Sequence, residues 1–109
     1  MKEVRSPSTL FLPKAVSLVS TSHAGRDNVM TVAWVSVVCM EPPHVAVAIR
    51  ESRFTFKLLQ ASGEFVVNIP SQDLWRSVDL CGVVSGRDQD KFELANLTRE
   101  KPSEVQAPL

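Results

Sequence analysis

The chain has 109 residues, of which 44% are hydrophobic and 22% charged, a composition typical of an ordinary soluble globular domain. We expect residues 1–109 to form a single domain whose core needs neither disulfides nor metals. Twelve basic and twelve acidic residues give a formal net charge of zero. This balance argues against nucleic acid or an anionic membrane surface as a partner.

The N-terminal residues and the cysteines indicate the compartment. No apolar segment of signal-peptide length precedes the first charges and prolines, and no run reaches the roughly 18 apolar residues of a membrane span. Cys39 and Cys81 lack the spacing of a metal site, so we expect both to be reduced and buried. We therefore expect a cytoplasmic protein.

An alternating pattern predicts a first strand at residues 14–21, and a polar link joins it to residues 28–40. The latter stretch is apolar, rich in β-branched residues and free of Gly and Pro, which predicts one long central strand with both faces covered. Strands with so short a link pair most readily as antiparallel neighbours. On one face the small residues Thr31 and Ala33 leave room for a flat group, either another side chain or a cofactor.

Two helices are predicted farther along the chain, after a third strand at residues 44–50. The first covers residues 53–62, with Ser52 as its N-cap and Gly63 as its left-handed C-terminal residue. The second begins after Ser71 and ends at Gly82.

The remaining segments complete an α+β or mainly β pattern. Residues 64–69 alternate like a fourth strand, and residues 91–94 begin a helical turn. The charged, proline-bearing tail of residues 98–109 has little to hold it. Short antiparallel strands with small helices inserted between them predict a small barrel or partial barrel.

Polar residues surround the predicted start of the first helix. A helix N-terminus offers free N–H groups and partial positive charge, and hydroxyls with an arginine beside it make a phosphate site. Ser52, Arg53 and Thr55 supply these groups. The alternative is that Ser52 is only a cap and Arg53 only a solvated side chain, because serine is common at N-caps.

A second polar segment covers residues 81–91. Gly82 and Gly86 allow a close approach of the backbone to a ligand, and Ser85 and Lys91 can donate hydrogen bonds to an anion or a carbonyl group. A glycine-rich surface loop is an equally good interpretation of this segment alone.

Classical catalytic sets are poorly supplied. The two histidines, His23 and His44, belong to no recognisable motif, and no phosphate-binding or nucleophile motif is present. Asp88, Asp90 and Glu93 lack the calcium-loop pattern, and we expect them to cap the following turn. We therefore predict no catalytic or metal-binding residues, and redox chemistry would have to come from a bound cofactor.

Five segments together resemble the flavin reductase-like, FMN-binding split-barrel family, which includes flavoredoxins, ferric reductases and the reductase components of two-component monooxygenases. Their order and spacing are more specific than any one of them, and the similarity runs from about residue 13 to the end. The segments are P-K-A-V-S-L-V-S-T at residues 13–21, N-V-M-T-V-A-W at 28–34, S-R-F-T at 52–55, G-E-F-V-V-N-I-P at 63–70 and C-G-V-V-S-G-R-D-Q-D-K-F at 81–92.

The resemblance implies an antiparallel Greek-key split β-barrel that forms a homodimer and holds FMN noncovalently near the dimer interface. It also assigns the cofactor-binding residues in three groups. The isoalloxazine ring would be lined, largely through backbone groups, by Met30, Thr31, Ala33 and Trp34. The ribityl phosphate would be held by Arg50, Ser52, Arg53 and Thr55. The flavin or its phosphate would also contact Ser85 and Lys91, in a loop shaped by Cys81 and Gly86.

The activity that the resemblance implies is that of an oxidoreductase, which passes electrons from NAD(P)H to FMN and on to an acceptor. Family members usually continue with further strands past the position of Leu109, so the chain corresponds to the N-terminal portion of such a domain and the barrel would be incomplete. The alternative is a noncatalytic split-barrel protein that binds flavin weakly or serves as a structural dimer. A nucleic-acid-binding barrel is disfavoured, since no strand alternates basic and aromatic residues.

Overall fold

A computed structural model describes residues 1–9 and 11–109. Its described part contains five strands, three α-helices and one short 3-10 helix. The strands are β1 (Ser17–His23), β2 (Arg26–Val32), β3 (Val35–Cys39), β4 (His44–Val47) and β5 (Val66–Asn68), and the helices are α1 (Phe54–Ser62), the 3-10 helix (Gln72–Leu74), α2 (Trp75–Val83) and α3 (Lys91–Leu94).

Two antiparallel sheets form the framework. The first has the strand order β2-β1-β5, and the second consists of β3 and β4. The turn between β1 and β2 has positive φ at both of its central residues, 51° at Ala24 and 76° at Gly25. Such a turn matches the right-handed twist of the paired strands. The predicted antiparallel pairing of β1 with β2 is confirmed.

The three-stranded sheet is covered on both faces. On one face Leu18 and Val29 form a buried cluster with Cys81 of α2, Phe92 of α3 and Ala95. Because side chains alternate along a strand, the neighbouring residues of β1 and β2 point to the opposite face, where α1 packs. The start of α1 and the end of α2 therefore lie on opposite sides of one sheet, near β2.

The prediction of one continuous strand over residues 28–40 is wrong. The chain breaks at Ala33 and Trp34, and its two halves pair in different sheets. The backbone oxygen of Trp34 accepts a hydrogen bond of 3.0 Å from the backbone nitrogen of Ala48. The prediction that both faces are covered fails for β3, where Val37 and Val38 are exposed.

Three predicted strands are present with shifted or shorter bounds. Strands β1, β4 and β5 replace the predicted residues 14–21, 44–50 and 64–69. The alternating pattern extends into flanking residues that are not part of a strand, although Ala48 after β4 still donates one backbone hydrogen bond to Trp34, so the pattern overestimates the length of β4 and β5.

The first helix is confirmed, but its start differs from the prediction. It begins at Phe54, its N-cap is Arg53, and no side chain donates or accepts a capping hydrogen bond. Ser52 is therefore not the cap. Gly63 has a φ of 70° and its N–H bonds to the backbone oxygen of Leu59, which confirms the predicted left-handed end.

The second helical segment begins after Ser71 as predicted, but its first turn is a 3-10 helix and its end differs from the prediction. Ser71 occupies the N-cap position, and its hydroxyl donates to the carboxylate of Asp73 rather than capping the backbone. Helix α2 does not end at Gly82 but continues to Val83. A Cβ on Gly82 would lie 3.4 Å from the Cβ of Thr31, an ordinary van der Waals contact. Gly82 is thus an interior residue of α2 that faces β2, and it does not end the helix.

The predicted helical turn at residues 91–94 and its cap are confirmed. Asp90 accepts hydrogen bonds from the backbone nitrogens of Phe92 (3.0 Å) and Glu93 (3.3 Å).

The prediction that little holds the tail is wrong. Ala107 is fully buried, and the backbone oxygen of Pro108 accepts a hydrogen bond from the hydroxyl of Ser20. Glu100 and Leu109 exchange two backbone hydrogen bonds of 3.1 and 3.2 Å. The tail thus supplies a partner for a buried hydroxyl of the sheet, which sequence patterning does not reveal.

No helix in the described residues is long and apolar enough to cross a membrane.

Candidate functional site

A cleft runs along β2, between the start of α1 on one side and the end of α2 with its following loop on the other. Among the described residues β2 pairs with β1 alone. Its outer edge therefore presents backbone N–H and C=O groups without a strand partner. Such an edge can bind the rim of a planar ligand through the main chain.

The cleft consists of two adjoining cavities that share Met30, Thr31 and Arg53. The first has a volume of about 200 Å³ and the second of about 160 Å³. Each alone is smaller than the roughly 300–1,000 Å³ typical of small-molecule sites. A ligand of cofactor size would therefore extend through both cavities.

All twelve residues predicted to bind the cofactor line one or both cavities, although they come from separate segments of the chain. The first cavity collects the polar residues of the α1 start and of the loop after α2. The second lies beside the break between β2 and β3. The predicted residues in the first are Met30, Thr31, Ser52, Arg53, Thr55, Cys81, Ser85, Gly86 and Lys91. Those in the second are Met30, Thr31, Ala33, Trp34, Arg50 and Arg53.

Arg50 shares no cavity with Ser52 and Thr55, two of the residues with which it was grouped, whereas Arg53 lines both cavities. Arg50 lines the second cavity, and its guanidinium carbon is 5.8 Å from the centre of the Trp34 ring. Ser52 and Thr55 line only the first cavity. The arginine is therefore placed at the aromatic end of the cleft, not at the predicted phosphate end.

The charged side chains that line the first cavity are all positive. Three cationic side chains line it, those of Arg53, Arg87 and Lys91, and no aspartate or glutamate does. The N-terminus of α1, which no side chain caps, adds partial positive charge. In a chain with a net charge of zero, this concentration of positive charge favours an anionic ligand group.

Lys91 is the most deeply buried cation of the cavity, with only 6% of its surface exposed. Its Nζ donates a hydrogen bond of 2.9 Å to the backbone oxygen of Cys81. An ammonium group has three protons, so it retains donors for a ligand. Burial lowers the pKa of Lys91, the Cys81 thiol group opposes this change, and the Arg53 guanidinium reinforces it. An anion between Lys91 and Arg53 would relieve this unfavourable burial of charge.

Cys81 is almost fully buried, and burial raises the pKa of its thiol, an effect that the nearby Lys91 ammonium opposes. A protonated, buried thiol shapes the cavity but does not act as a nucleophile. Among the described residues no group of three or more His, Cys, Asp or Glu side chains is placed to hold a metal ion.

Two predicted contact residues already use their hydroxyl groups inside the protein. Thr31 donates to the backbone oxygen of Val78 in α2. Thr55 is 2% exposed, and its Oγ1 accepts a hydrogen bond of 2.7 Å from the Nδ2 of Asn28. Thr31 has therefore used its hydroxyl proton and contributes mainly shape and backbone groups to the cleft. The hydroxyl of Thr55 only accepts, so it keeps a proton that can be donated to a ligand.

Sequence reasoning missed several residues of the site. Phe54 and Arg87 line the first cavity and lie within the quoted segments 52–55 and 81–92, and Ala48 lines the second cavity and lies two residues before Arg50, so spacing could have found all three. Arg26 and Asn28 contact both walls from behind without lining the cavities. Asn28 begins the segment N-V-M-T-V-A-W, so the resemblance could have indicated it, whereas no sequence signal distinguishes Arg26 from an ordinary hairpin residue.

The fold and the cleft define a small split-barrel domain with a binding site for a flat, anionic cofactor. The chain belongs to the flavin reductase-like domain family, whose family model matches residues 9–109. The predicted fold class, a mainly β split barrel with inserted helices, is confirmed.

Several solved structures are similar to this chain, including the two that follow. Flavoredoxin of Desulfovibrio vulgaris (Miyazaki F) superimposes with a TM-score of 0.91 and 36% identity, over 100% of this chain and 60% of that one. An FMN-binding domain of a flavin reductase-like enzyme from Shewanella baltica OS155 gives a TM-score of 0.83 and 25% identity, over 88% of this chain and 51% of that one. The prediction of FMN as the cofactor is confirmed by these family relationships.

One curated relative of the chain has a named function. The reductase component of an FADH(2)-dependent resorcinol hydroxylase from Rhizobium sp. (strain MTP-10005) is 36% identical over 63 residues, which are 56% of this chain and 35% of that protein. The chain spans about half the length of the first curated relatives it matches, 49% and 45%.

The residues present fit FMN. The cationic first cavity suits a phosphate group, and a buried lysine there has donors to spare. The unpaired edge of β2 and the break at Ala33 and Trp34 suit a flat ring system in the second cavity. The first cavity thus suits the phosphate end of FMN, and the second cavity suits its ring end.

Proposed function

We propose that this chain binds FMN in the cleft along β2 and acts as a flavin reductase-type oxidoreductase, which takes electrons from NAD(P)H and passes them to an acceptor. The observation that carries the proposal is the first cavity, lined by three cations and no carboxylate. It adjoins an unpaired strand edge on which a flat ring can rest.

In this proposal the phosphate lies in the first cavity. Lys91 and Arg53 supply charge from opposite sides of the sheet, and the uncapped start of α1 supplies backbone N–H groups. Ser52 and Ser85 are exposed and line the same cavity, so their hydroxyls can donate to phosphate oxygens.

The ring system lies in the second cavity in this proposal. The backbone of Met30 and Thr31 on β2 and of Ala33 and Trp34 after it would contact its edge. Trp34 is 39% exposed and carries Arg50 beside its ring, so this end of the cleft is open to a second reactant. A nicotinamide donor could approach there.

FMN, when bound, supplies the electron-transfer chemistry, and the protein supplies binding, orientation and electrostatics. The residues of the cleft are consistent with this division. The buried thiol of Cys81 stays protonated, and no histidine or carboxylate lines either cavity. The resemblance of part of the chain to a hydroxylase reductase component supports transfer to a further acceptor.

We also propose that the protein acts as a homodimer. The β3–β4 hairpin exposes apolar side chains on a two-stranded sheet, and Val37, Val38 and Val45 are 73%, 62% and 47% exposed. A second copy of the chain would remove this apolar surface from water. The hairpin directly follows Trp34, so the dimer contact would lie near the cleft.

A noncatalytic flavin-binding protein is the second candidate. It is favoured by the short match to the hydroxylase reductase component, which covers 56% of this chain and 35% of that protein and so gives limited support for reductase activity.

The two candidates differ in one experiment. FMN-loaded protein is mixed with NADH or NADPH without oxygen, and the visible absorbance of the flavin is followed against free FMN at the same concentration. Bleaching faster than that of free FMN supports the reductase. Stable binding without accelerated bleaching supports the second candidate and contradicts the first.

A further inference from the structure

One side chain of β2 contacts both walls of the first cavity from behind. The Nη2 atom of Arg26 donates hydrogen bonds of 2.6 Å to the backbone oxygen of Gly86 and 2.7 Å to that of Arg87. Its guanidinium carbon also lies 4.6 Å from the centre of the Phe54 ring, at the start of α1. Arg26 therefore joins the loop after α2 to the first turn of α1.

Asn28 makes a second connection between the same walls. It lies two residues after Arg26, on the same face of β2, and is 2% exposed. Its Nδ2 donates to the Oγ1 of Thr55 in α1, and its Oδ1 has no hydrogen-bond partner among the described residues. A Cβ on Gly86 would overlap this Oδ1 and lie 2.9 Å from the Cγ. The loop thus packs directly on the amide of Asn28.

Neither Arg26 nor Asn28 lines the first cavity, yet each contacts residues from its two opposite walls. The wall of α1 carries Arg53 and the wall of the loop carries Ser85. Two side chains of one strand therefore contact both of the walls that carry these donors.

We propose that Arg26 and Asn28 are positioning residues that fix the width of the cationic end of the cleft and thereby give the site its preference for a flavin that carries a terminal phosphate. The inference rests on the proposed binding of FMN. A phosphate gains most when donors from both walls reach its oxygens together, because hydrogen bonds weaken steeply with distance and angle. An uncharged ribityl chain gains little from this convergence.

Arg26→Ala tests the proposal through two ligands. FMN and riboflavin are titrated separately into the wild-type protein and the variant, and the ratio of the riboflavin Kd to the FMN Kd is compared. In Arg26→Ala we expect this ratio to fall by about tenfold or more, because charge-assisted contacts to the phosphate of FMN are loosened and the FMN Kd rises. The riboflavin Kd should change by less than about threefold. The ratio would not change if Arg26 only stabilised the fold.

Arg76→Ala is the matched control. Arg76 also lies over an aromatic ring, 5.2 Å from the centre of Trp75, but it belongs to α2 and does not line the cleft. The substitution makes the same change in net charge, and we expect the Kd ratio of the wild type.

Arg26→Lys keeps the charge and can reach one of the two carbonyl groups, so we expect a ratio between those of the wild type and Arg26→Ala. It also serves as the test if Arg26→Ala does not fold.

An unchanged ratio in the variants, or an equal loss of affinity for both flavins, overturns the positioning role. A wild-type protein that does not bind FMN overturns the proposed function itself, and with it this inference.

Discussion

Lys91 donates a hydrogen bond of 2.9 Å from its Nζ to the backbone oxygen of Cys81, and this contact joins the first residue of α3 to the last turns of α2. The ammonium group is thereby held in the wall of the cationic cavity with little contact to water. Because Lys91 is buried, the stability of the protein without any ligand should depend on pH.

The stability of the protein should rise with pH through the titration of Lys91. Burial lowers the pKa of this group in the folded protein, so between that pKa and the ordinary lysine value the unfolded chain binds more protons. Unfolding by urea at a series of pH values should therefore show the stability of the wild type increasing relative to Lys91→Met as pH rises. A difference that stays constant or falls would contradict the burial of a charged lysine.

The predicted phosphate contacts can be tested by removing two side chains at the start of α1. Ser52→Ala combined with Arg53→Ala should weaken FMN binding by roughly 2 to 4 kcal/mol, as expected for the loss of charge-assisted hydrogen bonds. Lys57→Ala, on the exposed surface of the same helix, is the control for charge. An unchanged FMN Kd in the double variant would rule out this end of the cleft as the phosphate site.

Two glycines beside the cleft should respond in opposite ways to alanine. Gly86→Ala would place a Cβ against Asn28 and 3.3 Å from the Phe54 ring, so the loop must move. We expect a loss of about 1–3 kcal/mol in stability, typical of overpacking. At Gly82 the nearest atom would be 3.4 Å away, so alanine should be neutral or should stabilise α2 by up to about 1 kcal/mol.

Denaturant midpoints for the two alanine variants measure this difference directly. Equal effects at both positions would contradict the close packing of the loop on Asn28.

Much of the secondary structure follows from local chemistry. Gly63 and Asp90 were predicted at helix ends because a left-handed residue and an N-cap carboxylate are required there, and both have these roles. The site residues were grouped by resemblance to a family, and the structure brings all twelve to one cleft.

Other features depend on partners that sequence patterns do not specify. The continuous apolar, β-branched run of residues 28–40 is the same whether one strand pairs throughout or two strands pair in different sheets, so the break at Trp34 was missed. Ser52 has the chemistry of a cap, but the helix begins one residue too late for it. Arg26 donates a hydrogen bond to the backbone oxygen of Gly86, 60 positions later in the chain, and no local sequence pattern indicates this contact.

The exposed hairpin gives a prediction about oligomeric state. Val37→Asp should shift the protein from dimer to monomer, because it places a charge in the apolar surface that we assign to the dimer contact. Sedimentation velocity over a range of concentrations measures the change, with Val4→Asp in the exposed N-terminal segment as control. A wild-type protein that is monomeric at all concentrations would contradict the dimer.

Whether the cleft along β2 holds FMN is tested most directly by separate fluorescence titrations of the purified wild-type protein with FMN and with riboflavin. We expect saturable quenching of FMN fluorescence with one FMN per chain and a Kd in the micromolar range or below, and clearly weaker binding of riboflavin. No saturable change, or equal binding of riboflavin and FMN, would contradict the assignment of the cationic cavity to the phosphate.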